Sequence, residues 1–451
     1  MLVQVVLVAL LSAVRVEADN PELKGTVERV ASGVAALRQL PFKKTISVGM
    51  MAPDELKATL EKKLRKELPD DQIDGERMVL SKLGIIPAHT NLKGLYSDLL
   101  GEQIAGLYDP DSKKLFLISE RPQVSSEQDS IIMAHELTHA LQDQYYDVDD
   151  LVQPVRGNDD RTLAANCLAE GDATVAMLEY TIQQSGAGPI RAYITSKLTD
   201  IVMSNMDLIL LVSGAIGQDQ FSKAPRFIQN QLVFPYTGGL GFVRYGIGRG
   251  NWQTMNRVYA SPPLSTEQIM HPAKYYMTPD WPTEVLTPGI DVYLPGKWHM
   301  AARAVLGELG TKVVLEEHPA KPPIPSPDVA AEGWDGDEIN VYQNHERPDD
   351  LLLVWYSTWD SEKDADDFER AMAAWVGQRY RAAQPLFGMP QRWTLGLLRI
   401  RLERRGRDVL YMDGFHGDFH DDIARAIWAK TWKEELKPIH RRIDAPVEGR
   451  E

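Results

Sequence analysis

Apolar positions along the chain change their period several times, and each change marks an element. Leu56, Leu60 and Leu64 recur every fourth residue among mixed charges. That predicts an amphipathic helix over 53–68, within a mostly helical stretch from 20 to 92. Residues 45–51 read as a short strand. Two apolar runs, 104–108 and 115–118, flank the turn-forming cluster Asp109-Pro110-Asp111-Ser112 and together predict a hairpin. Ser125 followed by Gln128 fits a capping box, opening a helix that runs to about Tyr145. A second helix is expected over 161–184, and an apolar, buried one over 203–216 that is too short to cross a bilayer. Gly238-Gly239-Leu240-Gly241 predicts a break, with a further helix after it.

The pattern changes again in the last third. Prolines crowd 319–327, as in a linker or a surface excursion. Beyond them come a strand-like run over 351–356, an amphipathic helix over 364–376, a strand pair near 397–402 and 408–412, and a last helix over 421–436. The expected fold class is α+β. A mostly helical domain with a small sheet fills 19–290. A helical segment and the Pro-rich linker follow over 291–330, and a smaller α+β domain occupies 331–451.

The amino terminus stands apart from this scheme. Residues 2–14 are apolar, yet too few to span a bilayer comfortably. Val16 and Ala18 then put small residues where a signal peptidase inspects the chain. Residues 1–18 are therefore expected to be a signal peptide cleaved after Ala18, and the mature protein to be secreted or periplasmic; an uncleaved anchor is the alternative. No later segment has about 18 unbroken apolar residues, so no stable membrane span is expected after cleavage. The single cysteine, Cys167, excludes an internal disulfide. With 43% hydrophobic residues the chain can build a sizeable core, and a net charge of −15 disfavours nucleic acid, whose phosphates need clustered Lys and Arg.

One stretch carries chemistry: Ile131-Ile-Met-Ala-His135-Glu136-Leu137-Thr138-His139-Ala140-Leu141. On a helix, residues four apart share a face, so His135 and His139 offer two nitrogens to one ion. Met133, Leu137, Ala140 and Leu141 form the opposing apolar stripe. Glu136 sits about 100° round the helix from His135, close enough to serve a water at the metal. Further on, residues 163, 167, 170, 174 and 177 share a face that is apolar or small except for Glu170. A carboxylate there is costly unless it pairs or binds a metal. Two His and one Glu make a catalytic rather than a structural zinc set, Zn2+ being the expected cofactor. The alternatives for Glu170 are an Arg partner or a kink at Gly171.

HELTHALQD closely resembles the active-site helix of the gluzincin metallopeptidases, whose thermolysin branch has a very similar string. Glu170 matches the third gluzincin ligand. The longer pattern is similar to a bacterial family of largely uncharacterised zinc-peptidase-like proteins. It includes GEQIAGLYDP (101–110), HELTHALQDQ (135–144), AEGDAT (169–174), FPYTGG (234–239), PPLSTEQIMHP (262–272) and GWDGD (333–337). The resemblance spans most of the mature chain. It implies zinc-dependent hydrolysis of peptide bonds in a peptide or protein substrate, with Glu136 as general base. One position departs: where thermolysin-like enzymes carry an Asp four residues after the glutamate, to orient a zinc-bound histidine, this chain has Thr174. Asp172 faces elsewhere on that helix, so Asp143 or another segment is expected to orient the ligands.

The oxyanion of such a reaction needs a donor. His271 is the first candidate, with a structural role in its Pro-rich loop equally open; Tyr236 and Tyr245 come second. Cys167, one turn before Glu170, either lines the site or is a small buried hydrophobe. The hairpin before the HELTH helix is an ordinary pair of strands, an edge that holds an extended peptide, or both. His416 and His420 are also four apart, but Gly417 between them favours a loop. Against the peptidase reading stands a catalytically silent protein of zincin fold that binds peptides or partners. Glu136 weighs against that, since a scaffold needs the ligands but not the base. The sequence leaves substrate choice and oligomeric state open.

Overall fold

The computed structural model describes residues 21–52, 55, 58–59, 69–103, 106–109, 114–118, 127–152, 158–184, 219–294, 296–319, 321, 324–381, 383–386, 389–414 and 419–446. The expected signal peptide, the cap at Ser125, the helix over 203–216, residues 415–418 of the expected His416 loop and nearly all of the expected helix over 53–68 lie outside these residues, and His420 opens a helix instead of lying in a loop. The architecture is α+β, as the pattern predicts. The first half has helices α1 (Pro21–Arg38), α2 (Asp70–Lys82), α3 (Leu92–Gln103), α4 (Glu127–Tyr146), α5 (Asp159–Gln184), α6 (Arg226–Arg249), α7 (Gln253–Ala260) and α8 (Thr266–Met270). Strands β1 (Ser47–Met51), β2 (Gly106–Asp109) and β3 (Lys114–Ile118) join them. The second half has β4 (Thr283–Leu286), β5 (Trp298–Ala304), α9 (Gly307–Glu317), β6 (Trp334–Asn344), β7 (Leu351–Trp359), α10 (Glu362–Arg379), β8 (Gln384–Leu386), β9 (Met389–Leu395), β10 (Leu398–Arg405), β11 (Asp408–Asp413), α11 (His420–Lys430) and β12 (Trp432–Glu435).

The small sheet runs β1-β3-β2, so β2 is an edge strand. Its hairpin with β3 pairs Tyr108 opposite Leu115. The large sheet has seven strands in the order β5-β6-β7-β11-β10-β9-β8. Its strands alternate between two cores, as a period of two requires. Leu353, Trp355 and Trp359 face α10 and the main core, whereas Leu352, Val354 and Tyr356 face α11. Ser361 caps α10 by accepting from the Asp364 N–H, and Glu362 and Asp364 lie in the favourable first turn.

Three expectations fail. The helix expected over 421–436 ends at Lys430, and Trp432–Glu435 becomes β12, paired antiparallel with β4. Gly238–Gly241 is not a break, for α6 runs unbroken from Arg226 to Arg249 with Pro235 inside it. The glycines let two helices touch instead. A Cβ on Gly239 would lie 2.1 Å from the Cys167 carbonyl oxygen, and one on Gly171 would lie 2.2 Å from the Gly239 carbonyl carbon. Backbone packed on backbone outweighs the low helix propensity of Gly. Residues 298–304, read from sequence as part of a helical segment before the linker, form the edge strand β5; α9 supplies the helix.

Two of the quoted motifs build the joint between the halves. Asp337 of GWDGD accepts the Leu306 and Gly307 N–H groups at 3.1 Å and the indole N–H groups of Trp334 and Trp355 at 2.9 and 3.1 Å. Thr266 of PPLSTEQIMHP donates from its N–H and its hydroxyl to Asp160, at 3.1 and 2.5 Å. The carboxylate of Asp160 lies over Gly307, where an added Cβ would stand 1.7 Å from its Oδ1 and φ is +71°. Only Gly fits there.

Candidate metal centre

Helix α4 buries the predicted stripe: Met133, Leu137, Ala140 and Leu141 are closed to solvent. Its other face then holds the two imidazoles, with ring centroids 4.7 Å and Nε2 atoms 3.1 Å apart. Helix α5 crosses this face and places Glu170 Oε2 at 3.2 Å from His135 Nε2 and 3.4 Å from His139 Nε2. Both alternatives for Glu170 fall away. α5 runs through Gly171 without a kink, and the arginine partner belongs to Asp172. Asp172 does face elsewhere: it is buried in an ion pair with Arg38 and accepts from the Tyr259 hydroxyl at 2.9 Å.

The donor set fits a zinc ion. Two imidazole nitrogens and a carboxylate oxygen lie 3.1, 3.2 and 3.4 Å apart. A tetrahedron with ligands about 2.0–2.1 Å from its centre has edges of roughly 3.3 Å. Electrostatics agrees with a cation-hungry site. Burial alone would raise the pKa of Glu170, but the facing histidines hold it well below the usual carboxylate range. Burial likewise opposes charge on His139, and Glu170 overrides it, pushing the ring up to about 9. The other acidic cluster among the described residues, Glu267, Asp280 and Asp360, already surrounds the Lys274 ammonium at 2.6, 2.9 and 2.6 Å.

Glu136 stands beside this trio on α4. Its Oε2 accepts the N–H of Tyr108 at 2.8 Å, so the outer edge of β2 faces the centre. The Tyr108 hydroxyl donates to Asp143 Oδ2 at 2.8 Å. Asp143 thus anchors the edge strand. The group that orients His139 is Gln142, whose Oε1 lies 2.9 Å from His139 Nδ1. Neither Tyr108 nor Gln142 stands out in the sequence, although Gln142 lies three residues beyond His139 on the same helix face.

Of the three oxyanion candidates, one is at the site. Tyr236 of α6 stacks on His135 with centroids 6.0 Å apart, and the charge of Glu170 acts on its hydroxyl. Burial, then the charges of Glu170 and Glu136, push its pKa well above the phenol range, so it remains a donor. His271, the first choice from sequence, ends α8 and pairs with Glu308 of α9 at 2.8 Å. The groups acting on it are Glu308, Lys274 and Glu332, all part of the joint. Tyr245 lies nine residues beyond Tyr236, on the opposite face of α6, under the Arg249 guanidinium at 3.4 Å. Cys167 is fully buried with its Sγ 4.0 Å from the Phe234 carbonyl oxygen, a small hydrophobe in the α5–α6 contact.

A family model for a domain of unknown function, DUF8575, matches residues 297–424, which hold the whole seven-stranded sheet and none of the metal-centre residues. No curated protein and no solved structure matches the chain. Among the described residues no helix is long and apolar enough to cross a membrane.

Proposed function

We propose that the chain is a zinc-dependent peptidase of gluzincin type, acting on exported or extracytoplasmic proteins or peptides. The observation that carries this reading is the convergence of His135, His139 and Glu170, with Glu136 and Tyr236 beside them. A zinc ion held there would supply a Lewis acid for a peptide carbonyl and for water. Glu136 takes the proton from water and returns it to the leaving amine. Its place one residue from His135 and against the β2 edge supports that role. Tyr236, neutral, donates its hydroxyl hydrogen to the carbonyl oxygen as negative charge grows there. The outer edge of β2 offers main-chain groups to an extended peptide.

A catalytically silent scaffold would keep His135, His139 and Glu170, and would need Glu136 only for its bond to the Tyr108 N–H. The test is metal-dependent cleavage. Purified protein should cut members of a peptide library, lose that activity to a chelator and regain it with zinc. Equal cleavage with and without chelator would contradict the proposal.

A further inference from the structure

The amide of Gln142 touches both helices of the candidate centre. It is 1% exposed. Its Nε2 donates to the Ala169 carbonyl oxygen of α5 at 2.9 Å, and its Oε1 faces His139 Nδ1 at 2.9 Å. These contacts are not independent. A carbonyl oxygen only accepts, so the Ala169 contact fixes which end of the amide is nitrogen. The remaining end is an oxygen, also only an acceptor, and therefore Nδ1 of His139 must carry a hydrogen. In the neutral ring that leaves the lone pair on Nε2, the atom turned toward His135 and Glu170.

The two histidines are held by different means. His135 Nδ1 is buried without a hydrogen-bond partner, and that ring is positioned by packing between His139 and Tyr236. His139, by contrast, has its Nδ1 held by a hydrogen bond. Moreover, Ala169 directly precedes Glu170. One side chain thus joins the ring of the second ligand to the backbone beside the third, across the α4–α5 contact.

We infer that Gln142 is the positioning residue of the metal centre: it sets the tautomer and direction of His139 and holds α4 in register with Glu170. A neutral amide takes the part that a carboxylate plays in many zinc sites. The inference rests on the proposed metal centre, but not on turnover.

The test compares Gln142→Leu with Gln142→Glu, each as full-length protein. Leu removes both contacts. Glu keeps an acceptor for the His139 ring but loses the donor to the Ala169 oxygen. Three quantities are read: the zinc dissociation constant by chelator competition, the visible spectrum of the cobalt-substituted protein, and the melting temperature without metal. Both variants should melt lower than wild type, because both lose the link to α5. Only Gln142→Leu should bind zinc about 10–100-fold more weakly and show an altered cobalt spectrum. Gln142→Glu should bind zinc within about threefold of wild type, or more tightly. Wild-type zinc affinity in Gln142→Leu overturns the inference, as does a Gln142→Glu variant as weak as Gln142→Leu. If wild type itself binds no zinc, the metal centre and this inference fall together. If wild type binds zinc without cleaving peptides, only the peptidase reading falls.

Discussion

Gly171 and Gly239 meet backbone to backbone where α5 crosses α6. A methyl group on either would stand about 2 Å from main-chain atoms opposite. Gly171 adjoins Glu170, and Gly239 lies three residues from Tyr236, so this crossing sets the distance between a ligand and the proposed donor. Gly239→Ala must push the helices apart. We expect a loss of about 1–3 kcal/mol of stability, or more, and zinc binding at least about tenfold weaker. Thermal melts and zinc titration check this, and unchanged zinc affinity would mean the crossing does not position the centre.

Two residues beyond Glu170, Asp172 forms an ion pair with Arg38, and both side chains are closed to solvent. Removing one partner of such a pair leaves a buried, unmatched charge, at a cost of about 3–5 kcal/mol. Arg38→Met should therefore be among the most destabilising substitutions in the chain. The double variant Arg38→Met, Asp172→Asn should recover a substantial part, as measured by denaturant unfolding. A double variant no more stable than Arg38→Met would contradict this.

The joint between the two halves should respond to pH through Asp160. Burial drives its pKa up to about 8 from 3.8, with Asp337 and Glu308 adding to the rise and the Thr266 bonds opposing it. A carboxyl whose folded pKa is raised binds a proton on folding. Its stabilising effect is complete below about pH 4 and is lost as pH rises toward 8. Asp160→Asn mimics the protonated group and should flatten this fall, by up to about 1.4 kcal/mol per pH unit within the window. Parallel stability curves for wild type and Asp160→Asn from pH 4 to 8 would show that Asp160 does not titrate there.

Much of this was legible in the sequence, and the rest was hidden for physical reasons. The HELTH helix and its buried stripe follow from spacing alone, because residues on one helix have fixed relative positions; Glu170 is marked by its place on an otherwise apolar helix face and by the gluzincin resemblance. The break expected at Gly238–Gly241 fails because glycine's low propensity is a local quantity, whereas the contact with Gly171 is tertiary. Residues 432–435 were read as helix because β12 exists only through its distant partner β4. His271 looked catalytic because an unpaired His beside a proline has no visible partner in sequence. Glu308, its partner, is 37 residues away. The donor that reaches the site, Tyr236, comes from a helix whose crossing with α5 no periodicity reveals.

Tyr236→Phe separates packing from chemistry. The ring still stacks on His135, but the hydroxyl is gone. Zinc binding and folding should be nearly unchanged. Turnover should fall by about 10²–10³, with little change in KM, because the hydroxyl acts on charge that develops only in the transition state. Steady-state kinetics on any cleaved peptide decides this, and a KM effect with intact kcat would place Tyr236 in substrate binding instead.

The central claim is that Glu136 acts on water beside a zinc held by His135, His139 and Glu170. Zinc content and peptide cleavage, measured side by side for wild type and Glu136→Gln, test it most directly. About one zinc per chain is expected in both proteins, and cleavage in wild type alone. Wild-type protein that holds no zinc, or equal cleavage by the two proteins, would contradict it.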